Sequence, residues 1–219
     1  MRIKEEPILK VNNVIVDLGA NFCLGPINFS INQGDILGIL GKNGSGKSTL
    51  IYTIANLISN HQGEINIQTD NIGFSFQHPR FYPNKSVLKN LQIFSTIKNT
   101  RKSELLEIIR FFELEPYIKQ RFKSLSDGNK KRLEIAFSII GNPDLILLDE
   151  PTANIDKTGI ELLFDQLNAL RGSSTIIMNN HNSHELKDFC THFLILRDGK
   201  QVAFLDRNSF NPSDYNKFE

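Results

Sequence analysis

The stretch Gly41-Lys42-Asn43-Gly44-Ser45-Gly46-Lys47-Ser48-Thr49 decides the fold, because it joins two segments of opposite character. Before it, Ile36–Leu40 is short and almost wholly apolar, as expected of a strand buried on both faces of a parallel sheet. After it, apolar residues recur at helical spacing; they are Leu50, Ile51, Ile54, Leu57 and Ile58. A glycine-rich turn between a strand and a helix points successive N–H groups at one anion. The sequence therefore predicts a phosphate-binding loop.

Individual residues of this loop have predictable roles. Its glycines permit the sharp turn, since glycine adopts backbone conformations that other residues avoid. Lys47 is expected to reach the β- and γ-phosphates of a nucleotide, and the Ser48 hydroxyl is expected to bind Mg²⁺. The predicted nucleotide-binding positions of the loop are Gly41, Asn43, Gly44, Ser45, Gly46, Lys47, Ser48 and Thr49.

Composition limits the classes of partner and compartment. The 219 residues include 25 lysines and arginines against 24 acidic residues. The net charge of +1 gives no overall electrostatic field that would attract nucleic acid or an anionic membrane. We therefore expect no nucleic-acid partner. The cysteines, Cys23 and Cys190, are too few for a disulfide framework, and no hydrophobic leader precedes the first strand pattern, which favours a reducing, intracellular compartment. No apolar stretch approaches the roughly 20 residues that span a bilayer, so membrane contact is expected only through a partner.

Periodicity along the rest of the chain indicates three kinds of structure. Residues 8–35 alternate loosely between apolar and polar and are broken by glycines, as in antiparallel β-structure, and short strand patterns recur at 63–67 and 72–76. Helical patterns follow at 86–97 and from residue 103. Helices at 128–140, 159–170 and 183–190 then alternate with strands at 145–148, 175–178 and 193–196. This alternation predicts a parallel α/β sheet with ligands at the carboxyl ends of its strands.

Two adjacent carboxylates, Asp149 and Glu150, follow the hydrophobic strand Leu145–Leu148. Because side chains alternate along an extended backbone, the two acids should face different ways and serve different purposes. Asp149 is expected to hold Mg²⁺, directly or through water. Glu150 is expected to act as a general base or to position the attacking water.

Six motifs occur in a fixed order along the chain. They are residues 41–49, Gln77 after a strand, Leu125-Ser126-Asp127-Gly128-Asn129-Lys130-Lys131-Arg132 at the start of a helix, residues 145–151, Asn154-Ile155-Asp156, and His181 after a strand. In this order they resemble the Walker A, Q-loop, signature, Walker B, D-loop and switch-histidine motifs of the nucleotide-binding domain of an ATP-binding cassette (ABC) protein. The resemblance covers nearly the whole chain.

The resemblance implies an α/β fold: a P-loop NTPase parallel sheet core with an N-terminal antiparallel β-subdomain and an α-helical insertion. The chain is expected to be one domain, residues 1–219. In it, 1–77 and 123–219 form the core with the antiparallel subdomain, and 78–122 form the helical subdomain, which continues into the signature helix.

The resemblance also implies an ATPase that uses ATP and Mg²⁺ and works as a head-to-tail dimer. Each ATP would lie between the phosphate loop of one copy and Ser126, Gly128 and Asp156 of the other. Gln77 and His181 are implied to be catalytic, and Gln77 is also implied to contact the metal. The start of an amphipathic helix at Ser126 is itself an anion-binding terminus, although Ser126 alone would be an ordinary N-cap.

Two departures from the family pattern affect what we expect. The signature carries Asp127 and Asn129 where glycine and glutamine are commonest, and an added carboxylate near a phosphate is unfavourable unless it points away or a lysine offsets it. We expect slower turnover rather than none. The position of the adenine-stacking aromatic falls on Leu18, so either Leu18 gives apolar contact alone or Phe22 stacks instead, and base selectivity is expected to be loose.

Two biological roles remain open from the sequence. The first is the ATPase subunit of a membrane transporter, peripheral on the cytoplasmic face of the membrane and bound to a separate transmembrane permease. The aromatic loop Phe81-Tyr82-Pro83 lies where the family receives its permease, though packing inside the helical subdomain explains it equally well. Similarity to bacitracin, lantibiotic-immunity and haem-export ATPases favours an exporter. The second role is a soluble ABC ATPase such as an iron–sulfur assembly scaffold.

Overall fold

Two β-sheets and a set of helices make up the part of the chain that the computed structural model describes, residues 6–19, 22–76, 81–180 and 182–213. The strands are β1 (Leu9–Asp17), β2 (Cys23–Ile31), β3 (Ile36–Leu40), β4 (Gln62–Ile67), β5 (Ile72–Ser75), β6 (Leu145–Leu148), β7 (Thr175–Asn180), β8 (His192–Arg197) and β9 (Lys200–Asp206). The α-helices are α1 (Lys47–Ile54), α2 (Val87–Ile97), α3 (Lys102–Phe111), α4 (Asp127–Ser138), α5 (Lys157–Asn168) and α6 (Ser183–Leu186).

The larger sheet has six strands in the order β5-β6-β7-β3-β8-β9. All neighbours are parallel except β8 and β9, which are antiparallel. Every residue of β3, β6 and β7 is buried, which explains why β3 and β6 carry no polar side chain, whereas β7 has an apolar centre, Ile176–Met178, flanked by buried polar residues. Because β3, β6 and β7 are adjacent and parallel, the residues after their carboxyl ends lie at one edge of the sheet. The predicted parallel α/β core is confirmed.

The smaller sheet is antiparallel, with strand order β2-β1-β4. Buried residues of β2 mostly alternate with exposed ones, as expected of a sheet with one face on the core. That face contributes Val14, Leu24 and Ile27 to an apolar cluster shared with Leu50 of α1 and Leu147 of β6. The antiparallel structure predicted for residues 8–35 is therefore confirmed, and it packs beside the phosphate loop.

The helices α2 and α3 lie between the phosphate loop and the carboxylates in sequence, as predicted. The N-cap of α2 is Ser86, whose hydroxyl accepts a hydrogen bond from the Lys89 N–H. Phe81 is packed among three other rings, with centroid distances of 5.9 Å to Phe94, 5.0 Å to Phe122 and 5.6 Å to Phe137. Packing therefore accounts for Phe81, whereas the next aromatic, Tyr82, is 50% exposed.

Two helices are shorter than the apolar periodicity predicted. α1 ends at Ile54 because Asn56 has a left-handed backbone (φ 57°), so Leu57 is not on the buried face and is 55% exposed. The helix predicted at 183–190 ends at Leu186. After α6 the chain returns to the start of β3, where the Thr191 N–H donates to the Ile36 carbonyl. Strand β8 begins at the next residue, His192.

Candidate functional site

The phosphate loop connects β3 to α1 by a turn that glycine alone can make. Gly44 and Gly46 have φ values of 82° and 100°, in the left-handed region, and Gly46 is the N-cap of α1. At Gly41 a Cβ atom would lie 2.3 Å from Ser45 Oγ and 2.5 Å from the Leu196 carbonyl oxygen. Ser45 Oγ is itself buried with no hydrogen-bond partner among the described residues. The loop is therefore a tight backbone turn at the positive end of a helix.

Lys47 lies in the mouth of this loop. Its ammonium group donates to the carbonyl oxygens of Gly41 at 2.7 Å and Lys42 at 3.0 Å, and only 5% of the residue is exposed. Burial lowers the pKa of the Lys47 side chain, while the negative charges of Glu150 and Asp149 act in the opposite direction. The structure thus places the buried Lys47 ammonium group near both predicted carboxylates, Asp149 and Glu150.

Asp149 is completely buried and receives hydrogen bonds at both carboxylate oxygens. Ser48 Oγ donates to Asp149 Oδ1 at 2.7 Å, as expected of the two predicted metal ligands. A hydroxyl beside a carboxylate is an oxygen donor set that suits Mg²⁺. The residues present therefore fit this ion.

Sequence reasoning missed two residues that also bind this carboxylate. Tyr52 donates its hydroxyl to Asp149 Oδ2 at 2.6 Å, and Asn179 donates its side-chain amide to Asp149 Oδ1 at 2.6 Å. A signal existed for each of them. Tyr52 lies four residues after Ser48 and so on the same face of α1, and Asn179 is a polar residue that directly follows the buried apolar run Ile176–Met178.

Glu150 differs from Asp149 in backbone conformation as well as in exposure. Its φ of 49° is left-handed, and its N–H donates to the Asn179 side-chain carbonyl. The two acids do face different ways, but strand alternation is the wrong reason, since β6 ends at Leu148. The left-handed turn separates them instead. Glu150 is partly exposed and lines the same cavity as Lys47.

That cavity has a volume of about 560 Å³ and collects most of the predicted nucleotide-binding residues. Its lining consists of Leu18, Phe22, Asn43, Gly44, Gly46, Lys47, Ser48, Thr49 and Glu150. Phe22 lies against the loop, since a Cβ on Gly46 would come 3.1 Å from the Phe22 ring. Leu18 is 52% exposed at the rim. The structure therefore places both candidate base contacts at the cavity.

A second cavity, of about 370 Å³, contains the signature and D-loop residues. It is lined by Ser126, Gly128, Asn129, Arg132, Ile135, Asn154, Ile155, Asp156, Gly159, Leu163 and Gln166. Ser126 is the N-cap of α4 and accepts from Asn129 N–H at 3.3 Å. Asp156 is the N-cap of α5 and accepts from Gly159 N–H at 2.9 Å. The lining of this cavity shares no residue with that of the first.

The unusual signature carboxylate, Asp127, is paired. Lys130 Nζ lies 2.8 Å from Asp127 Oδ1, and the Asp127 side chain is 71% exposed. The predicted charge compensation by a neighbouring lysine is therefore present. Two predicted catalytic residues, Gln77 and His181, lie outside the described residues.

Comparison with known proteins places the chain in a family. A family model described as ABC transporter matches residues 24–153, more than half of the chain. The chain is 30% identical over 204 residues to the uncharacterized ABC transporter ATP-binding protein MJ1023 of Methanocaldococcus jannaschii, covering 91% of this chain and 78% of that protein. The chain belongs to the ABC transporter family, as an ATP-binding subunit and ATPase.

Two further similarities support the same assignment. The lantibiotic transport ATP-binding protein SrtF of Streptococcus pyogenes is 29% identical over 204 residues, which is 89% of each chain. Among solved structures, an ABC transporter ascribed to the metal-chelate type, in an inward-facing conformation, superposes with a TM-score of 0.79 at 27% identity. That match covers 93% of this chain and 84% of that one. In the described residues, no helix is both long and apolar enough to cross a membrane.

Proposed function

We propose that this subunit hydrolyses ATP at sites shared between two copies and thereby drives export through a separate permease. One observation carries the proposal: Lys47, Ser48, Asp149 and Glu150 surround the mouth of one glycine-lined loop. A cation, a hydroxyl and two differently placed carboxylates at the positive end of a helix are what phosphoryl transfer to water requires.

Each residue at this site has a distinct task in the proposed reaction. The loop N–H groups and the Lys47 ammonium group bind the phosphate oxygens and hold the γ-phosphate in place. Ser48 and Asp149 would hold Mg²⁺, which neutralises phosphate charge. Glu150, on the open side of the cavity, positions the attacking water and accepts its proton. Gln77 and His181 are proposed, from the family resemblance, to contact the water or metal and the γ-phosphate.

Two separate anion-binding sites in one chain favour a dimer. The N-terminus of α4 at Ser126 and Gly128 lines a second cavity together with Asp156, and no residue of the phosphate loop lines that cavity. In a head-to-tail pair, each copy would present this helix terminus to the ATP held by the other copy. The Asp127–Lys130 ion pair reduces the repulsion that a bare carboxylate would cause there.

Export is the direction we propose, because the chain is 30% identical over 202 residues to a Rhizobium etli protein named Nod factor export ATP-binding protein I, covering 84% of this chain and 64% of that protein. The permease would meet the exposed Tyr82 beside the packed Phe81, on the cytoplasmic side of the membrane. A soluble scaffold is the alternative. Purification from membranes through a tag separates the two: a co-purifying multi-span protein supports transport, and soluble partners alone contradict it.

Replacement of Glu150 by glutamine tests the catalytic assignment. The Glu150→Gln variant keeps the size and the main-chain contacts but cannot accept a proton, so we expect ATP hydrolysis to fall at least about 100-fold while ATP binding persists. The control is Glu161→Gln on the exposed surface of α5, where the Glu161 side chain is 66% exposed. Turnover of Glu150→Gln near the wild-type rate would show that another group is the base.

A further inference from the structure

Two consecutive asparagines, Asn179 and Asn180, end the buried strand β7. They are 0% and 2% exposed, and the three residues before them, Ile176 to Met178, are apolar and fully buried. A buried amide costs free energy unless both its N–H₂ and its carbonyl group find partners. Both asparagines meet this condition with different partners, and the family resemblance assigns neither of them a role.

Asn179 contacts both carboxylate residues at once. Its amide donates to Asp149 Oδ1 at 2.6 Å and lies 3.4 Å from Ser48 Oγ. Its carbonyl accepts the N–H of Glu150, the residue with the left-handed backbone. A side chain that must donate to a carboxylate and accept from a main-chain N–H needs both functions, which an amide supplies and a carboxylate or hydrocarbon does not.

Asn180 points to the other side of the strand, as alternation requires. Its amide donates to Thr152 Oγ1 at 3.1 Å and to Glu185 Oε2 at 2.8 Å, and its carbonyl accepts from Asn182 N–H at 2.9 Å. Asn180 therefore ties β7 to the segment after Glu150 and to the start of α6. Asn179 is the member of the pair that contacts Ser48 and Asp149.

We propose that Asn179 is a positioning residue for ATP hydrolysis, which fixes the orientation of the Asp149 carboxylate and the main-chain turn at Glu150. A fixed Asp149 presents its oxygens to the metal in one orientation. A fixed turn at Glu150 points that side chain into the cavity. Outer partners of this kind commonly change metal affinity or activity by about 10- to 100-fold when they are removed.

The test uses Asn179→Leu, which has the same number of side-chain heavy atoms and the same branching at Cγ but neither donates nor accepts a hydrogen bond. We expect kcat to fall about tenfold or more, while KM for ATP stays within about twofold because Lys47 and the loop amides are untouched. Mn²⁺ serves as a spectroscopic probe: its apparent Kd in the presence of ATP, measured by electron paramagnetic resonance, should rise about fivefold or more. Asn179→Ser retains one donor and should give intermediate values, and it provides the same test if the leucine variant does not fold.

The matched control is Asn71→Ala at the opposite end of the sheet. Asn71 donates its amide to the carbonyls of Gly141 at 3.1 Å and Asn142 at 2.9 Å, just before β5. Its loss should lower thermal stability without changing kcat or Mn²⁺ affinity. If the Asn179 variants keep wild-type kcat and Mn²⁺ affinity, or if Asn71→Ala loses kcat equally, the positioning role is wrong.

The inference rests on the proposed roles of Asp149 and Glu150, so the metal titration is also run in the Glu150→Gln background. Hydrolysis that persists in Glu150→Gln contradicts the proposed function. A Mn²⁺ Kd that is unchanged by Asn179→Leu in that background contradicts the present inference alone. The two failures are therefore distinguishable.

Discussion

Removal of the Tyr52 hydroxyl group should measurably destabilise the fold. The hydroxyl donates to Asp149 Oδ2 at 2.6 Å, and Asp149 is fully buried. The Tyr52→Phe substitution keeps the ring, which lies with centroid distances of 5.8 Å to Phe74 and 6.4 Å to Phe76. The change therefore removes the contact between this hydroxyl and the carboxylate and leaves the aromatic packing in place.

The magnitude follows from the charge and burial of the acceptor. A hydrogen bond to a charged group contributes about 1.5–3 kcal/mol, and a buried oxygen left without its donor costs a similar amount. We expect the free energy of unfolding to fall by about 2 kcal/mol, and for a chain of this length the melting temperature should fall by about 4–8 °C. Urea denaturation at equilibrium, with an unchanged m value, measures the free-energy difference directly.

The control for this prediction is Tyr117→Phe. Tyr117 is partly buried against the core, and its hydroxyl has no hydrogen bond within the described part of the chain. Its replacement should change the free energy of unfolding by less than about 0.5 kcal/mol. Equal stabilities of Tyr52→Phe and wild type would refute the argument that this hydroxyl satisfies Asp149.

Two other predictions concern the loop and the cysteines. Lys47→Ala should weaken ATP binding by about 100-fold in calorimetry, because a buried cation that faces the phosphates is lost. The control, Lys157→Ala on the surface of α5, should bind ATP as the wild type does. Undiminished binding by Lys47→Ala would contradict the loop assignment. In the native protein, iodoacetamide should modify the exposed Cys23 and not Cys190, because burial raises the pKa of the Cys190 thiol. Both cysteines should react after denaturation. Labelling of Cys190 in the native protein would contradict its burial.

Features that depend on local sequence were predictable. The positive φ values of Gly44 and Gly46, and the close approach at Gly41, require glycine, so the loop is visible in the sequence itself. The buried strands β3 and β6 are visible for a similar reason, since a strand covered on both faces favours a continuous apolar run.

The pattern singles out individual residues, but it does not predict which distant residue each of them contacts. The hydrogen bonds of Asp149 join it to Tyr52, 97 residues earlier, and to Asn179, 30 residues later. No spacing rule links such positions before the strand order is known. The early end of α1 has a different cause, because the left-handed conformation of Asn56 overrode an apolar periodicity that continued to Ile58.

The proposal that each ATP is shared between two copies is tested most directly by sedimentation of the Glu150→Gln variant with ATP. We expect a monomer without ATP and a dimer with it. The dimer should persist because this variant cannot hydrolyse the ATP that holds the two copies together. The variant is then combined with Gly128→Asp, which is tolerated within one copy because a Cβ at Gly128 meets nothing within 4 Å. An aspartate there would face the phosphates held by the second copy. The double variant should bind ATP and remain a monomer; a dimer that persists in it, or a Glu150→Gln variant that stays monomeric with ATP, would contradict the shared site.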